Sequence, residues 1–112
     1  MAKPNLGAML GQIQKIQEQL ARAQEELVNI EVEGSAGGGM VTVRANAKRE
    51  ILEVKIEPEV VDPDDIDMLE DLIMAAVNQA MEKAQQAADE HIQKVAGGLL
   101  PNLPGGFKFP GM

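Results

Sequence analysis

The residues able to do chemistry are few, and their spacing decides against most reactions. His91 is the single histidine, and there is no cysteine. Nucleophilic and general acid–base catalysis need a second group that orients or deprotonates the first. His91 stands on a helical stretch without such a companion and reads as a surface or interface side chain. Asp62, Asp64, Asp65 and Asp67 resemble the opening of a calcium loop. An EF-hand counted from Asp62 needs a ligand at its fifth position, glycine at its sixth and glutamate at its twelfth, where this chain has Ile66, Asp67 and Ile73. The aspartates read instead as a helix start. Gly37-Gly38-Gly39 lacks the Lys-Ser/Thr of a phosphate loop and leads into a strand, so it reads as a turn. No catalytic residue, metal site, cofactor or small-molecule substrate is predicted, and the chain is not expected to be an enzyme.

Basic side chains could contact phosphate where they gather. Lys3, Lys15 and Arg22 fall on a first helix and Lys83 and Lys94 on the outer half of a last one; Arg44, Lys48 and Arg49 form a second group on a strand and turn. Each is also readable as an ordinary solvated charge. The chain carries a formal net charge of −8, which repels a polyanion at long range. The acidity is concentrated, however: residues 62–96 hold nine acids against two bases, and six of those acids lie between Asp62 and Asp71. Trp and Tyr are absent, and Phe107 and Phe109 are the only aromatics, so base-stacking platforms for single strands cannot be built in the body of the domain. Recognition-helix and zinc-finger signatures are missing too, and direct base readout is not predicted.

The elements that must position these charges can be read from periodicity. From Leu6 to Leu27, apolar residues at Met9, Ile13, Ile16, Leu20, Ala23 and Leu27 step by four and three, the seam of a helix that asks for a partner along its length. Val28 to Gly34 switches to strict alternation, as do Met40 to Ala45 and Leu52 to Ile56, with Gly37–Gly39 and Asn46–Glu50 as turns between them. Pro58 ends the third strand. The stretch from Pro58 to Val95 then carries every helix signal: Asp62 as cap, Pro63 in the first turn, early acids, late Lys94, and a stop before Gly97-Gly98. The expected fold is α+β in the order helix, three-stranded antiparallel sheet, long helix, with both helices on the apolar side of the sheet. The expected organisation is one domain over 1–96 and a Pro/Gly-rich tail over 97–112. No window is apolar and long enough for a membrane span, and the lack of cysteine permits a reducing cytoplasm.

A strand of about seven residues spans only about 23 Å at roughly 3.3 Å per residue, whereas a helix of some thirty-odd residues runs to about 50 Å. Its outer half still carries Ala80, Ala84, Ala87, Ala88, Ile92 and Val95, and the sheet has two edges. A homodimer is therefore expected, with paired sheets forming a base from which helices project.

The chain as a whole resembles the YbaB/EbfC family of bacterial nucleoid-associated proteins. The likeness rests on the Met-, Gln- and Lys-rich first helix, the glycine run before Met40-Val41, and Val54-Lys55-Ile56-Glu57-Pro58. It continues through Asp62 to Ala80, with Leu69-Glu70-Asp71-Leu72-Ile73 and Ala75-Ala76-Val77-Asn78, to the Leu-Pro-Gly-Gly-Phe of the tail. The resemblance implies a cytoplasmic, nucleoid-located homodimer shaped like tweezers that binds double-stranded DNA, alters its conformation and influences gene expression. It carries no residue-level DNA contacts, because its most specific segment is acidic. The competing reading is a dimeric adaptor whose arms and apolar tail hold another protein, with DNA association indirect or absent.

Overall fold

The computed structural model describes residues 6–99. The element order is α1 (Leu6–Glu26), a 3-10 turn (Leu27–Asn29), β1 (Glu31–Ala36), β2 (Val41–Asn46), β3 (Ile51–Ile56), a second 3-10 turn (Pro58–Val60) and α2 (Ile66–Leu99). The strands form one antiparallel sheet in the order β1-β2-β3, with Gly34 opposite Val43, Val43 opposite Val54 and Val41 opposite Ile56. This is the α-β-β-β-α order that periodicity predicts.

Both turns are built by residues suited to them. Gly37, Gly38 and Gly39 have φ of 63°, 65° and 92°, a left-handed run that side chains disfavour and glycine adopts freely. In the second turn the buried Asn46 side chain replaces missing backbone partners. Its Oδ1 accepts from the amides of Lys48 (3.0 Å) and Glu50 (3.1 Å), and its Nδ2 donates to Glu50 Oε1 (2.8 Å). Arg49 completes that turn at φ 64°.

The first strand starts three residues later than alternation predicts and ends two residues later. Residues 27–29 take a 3-10 turn instead, held where the Ala47 amide donates to the carbonyls of Leu27 (3.2 Å) and Ile30 (2.8 Å). Gly34 thereby falls inside β1, and α2 crosses directly over it: a Cβ there would collide with Ala76 O and Ala80 N and come within 2.9 Å of Ala80 Cα. Small residues on both sides let helix and strand backbones touch. The core gathers around that crossing, from Val41, Val43, Ala45, Val60, Ala76 and Ala80, with Leu69, Leu72, Ile73 and Val77 packed beside them.

Both ends of α2 differ from expectation. The cap is Asp65, whose Oδ1 accepts from the Met68 amide (3.3 Å), while Asp62 accepts from Asp64 N (2.9 Å) in a preceding turn. The helix also continues through Gly97-Gly98 to Leu99, since glycine costs about 1 kcal/mol in a helix without forbidding it.

Packing brings two larger corrections. The first helix does not share the sheet's apolar side with α2; it lies antiparallel along the outer half of α2. Glu26 sits beside His91, with Nε2 and Oε2 2.9 Å apart, and Gln12, Ile16 and Gln19 lie near Gly98. Within one chain, α2 therefore loses most of its outer stripe from view: Ala84 and Ala96 are buried, and Ala87, Ala88, Ile92 and Val95 are half-buried. The second correction concerns β3. Because α2 covers β1 and β2, Ile51, Leu52, Val54 and Ile56 remain 48%, 43%, 45% and 36% exposed, although Val54 and Ile56 share a face with buried Val43 and Val41. The outer stripe of α2 is covered, whereas β3 is left bare.

Candidate nucleic-acid interface

The basic residues separate into free and committed groups. Lys15 and Arg22 are exposed on α1, seven residues apart and so on one helix face about 10 Å apart along the axis. Glu18 lies between them on that face and dilutes their field. Lys94 is exposed on the outer part of α2. Lys3 lies outside the described residues. Lys83 is held: its Nζ donates to the carbonyl of Glu33 at 2.9 Å, while Gln79 Oε1, one turn earlier, accepts from Ser35 N at 2.7 Å. These two side chains occupy the outer edge of β1. The spacing of Gln79 and Lys83 about Ala80 is a sequence signal for such an edge clasp, but only once Ala80 is known to sit over Gly34.

Arg44 is committed as well. On the wet face of the sheet its Nη1 lies 2.5 Å from Glu31 Oε1 and its Nε 3.8 Å from Glu53 Oε1. The hydrogen bond that Arg44 donates to Glu31, and then the charge of that carboxylate, raise the guanidinium pKa above its ordinary value. A phosphate approaching Arg44 would have to displace two carboxylates. Lys48 and Arg49 project from the β2–β3 turn, exposed. The sites are thus spread along the molecule: Lys15, Arg22 and Lys94 on the helical arm, Lys48 and Arg49 on a turn of the sheet.

Nothing in this arrangement resembles a reaction centre. His91 is matched with Glu26, and among the described residues no group of three or more His, Asp or Glu side chains is placed to hold a metal ion. No helix among them is long and apolar enough to cross a membrane.

A family model for the YbaB/EbfC DNA-binding family matches residues 1–99. The chain belongs to that family. Relatives match this chain over most of their length. A nucleoid-associated protein of Syntrophobacter fumaroxidans is 52% identical over 90% of this chain and 89% of its own. One from Clostridium novyi is 50% identical over 92% and 89%, and one from Alkaliphilus metalliredigens 48% identical over 93% and 90%. The crystal structure of an uncharacterized protein from Helicobacter pylori matches 89% of this chain and 98% of its own with a TM-score of 0.59 at 22% identity, which shows the YbaB/EbfC chain and that protein to share a fold.

Proposed function

We propose that this YbaB/EbfC protein works as a homodimer that binds duplex DNA with low sequence specificity in the bacterial nucleoid, altering DNA conformation and thereby gene expression. The observation carrying this reading is the family match across residues 1–99, joined to relatives named nucleoid-associated proteins. The exposed apolar face of β3 supports the pairing. β1's outer edge is occupied by Gln79 and Lys83, whereas among the described residues no strand lies beyond β3, so a second copy meeting the β3 side would cover both an open edge and four half-exposed side chains. Each such side chain covered contributes on the order of 1 kcal/mol, and a two-fold axis doubles the set. Two helical arms would then project from one base, presenting Lys15, Arg22 and Lys94 twice.

Contacts from these bases to phosphates predict affinity that falls steeply with salt and varies little with sequence. Fluorescence anisotropy with two unrelated duplexes at low and moderate salt tests this. Similar binding to both duplexes, weakening with salt, is the expected result; absence of binding at low salt would contradict it. The adaptor reading draws on the −8 charge and the exposed apolar residues of α1, and no DNA binding together with an intact dimer would favour it.

A further inference from the structure

The seam of α1 is covered along only half its length. Ile16 and Leu20 are half-buried and Ala23 is buried where α1 lies against α2. The same seam then runs on through Ile13, Met9 and Leu6, which are 49%, 49% and 68% exposed, with Leu10 beside them at 60%. The cause is geometric: Gly98, in the last turn of α2, already lies next to Gln12, Lys15 and Gln19, so α1 outruns its partner by its first turns. The polypeptide leaving α2 starts at this point. Residues 100–112 carry Leu100, Leu103, Phe107 and Phe109, apolar side chains that follow directly on the point where the seam loses its partner.

We propose that the segment from Leu100 to Phe109 docks on the Leu6–Ile13 face of α1 in its own chain, finishing the seam that α2 leaves open. The reach is sufficient. From Ile13 to Leu6 is about 10 Å along the helix, and ten extended residues span more than 30 Å. Tethering beside the stripe gives the segment an effective concentration in the millimolar range that a free partner does not have. Docking of this kind would close the tip of each arm and leave Lys15, Arg22 and the β3 face untouched.

The absence of cysteine in the chain makes the test clean. In the full-length protein, paired Leu10→Cys and Gly106→Cys substitutions should form an intrachain disulfide under mild oxidation. The rate should exceed that of Ala8→Cys paired with Gly106→Cys, on the other side of α1, by at least tenfold. Adding Leu103→Ser, Phe107→Ser and Phe109→Ser should bring the first rate down to that of the second. Equal rates for the two pairs, an unchanged rate in the triple-serine variant, or disulfides found only between chains would each overturn the proposal. None of these outcomes depends on DNA binding.

Discussion

At the scale of single residues, two side chains and one absent side chain set the geometry. Gly34 is required because the Ala76 carbonyl and the Ala80 amide occupy the space a Cβ would need. The backbone at that crossing cannot yield as a flexible side chain would, so Gly34→Ala should destabilise the protein by about 2–3 kcal/mol, read as a fall in the urea midpoint at unchanged m-value. Asp65 rather than Asp62 completes the first turn of α2; Asp65→Ala should cost about 1 kcal/mol and Asp62→Ala less, comparable by the same titration. Arg44 shows how a basic residue can be spoken for. Its pKa is raised, so whatever stability its ion pairs add is fully present below its unfolded pKa. That stability is lost only as pH rises through a still higher folded value, outside the neutral range. Arg44→Gln should accordingly leave DNA affinity within about twofold, because its positive charge is already matched by Glu31 and Glu53.

At the scale of elements, the type and order of the two helices and three strands were legible, because a period of two and a seam of threes and fours are set by local geometry. The two longest segments, α1 and α2, are where the pattern says most. What periodicity could not tell is which neighbour each apolar face meets. Val54 and Ile56 alternate as regularly as Val41 and Val43, yet α2 is one helix wide and lies over β1 and β2, leaving β3 bare. The alanines of α2 looked unsatisfied, yet α1 folds back upon them. Among the basic residues, charge and position could be read, but not the commitments of Lys83 and Arg44, which depend on strand edges and cross-strand neighbours. The difference can be tested on the arms: Lys15→Glu with Arg22→Glu should weaken binding to duplex DNA by about tenfold or more at low salt, since each reversed charge both loses and repels a phosphate. Unchanged affinity would move the contact to Lys48 and Arg49.

At the scale of the whole molecule, the shape follows from one helix too long for its sheet. The chain extends 81 Å along its longest axis and only 25 and 16 Å across, a form with much surface and little interior for its size. The outer stripe of α2 is paired with α1 while β3 is left bare, so the proposed pairing falls on the base of the molecule. Pairing there would turn single arms into two that approach DNA together, and low-affinity contacts on each would reinforce one another. This also reconciles a net acidic chain with a DNA-binding family, because the dense acids from Asp62 to Asp71 lie at the start of α2 while Lys15, Arg22 and Lys94 lie along the arm.

Sedimentation equilibrium at micromolar concentration tests the central claim most directly, run on the full chain and on a variant with Val54→Asp and Ile56→Asp. The account predicts twice the 12.0 kDa chain mass for the first and a folded particle of single-chain mass, with helical circular dichroism retained, for the second. A well-folded 12.0 kDa particle for the unaltered protein, or a dimer indifferent to both aspartates, would contradict it.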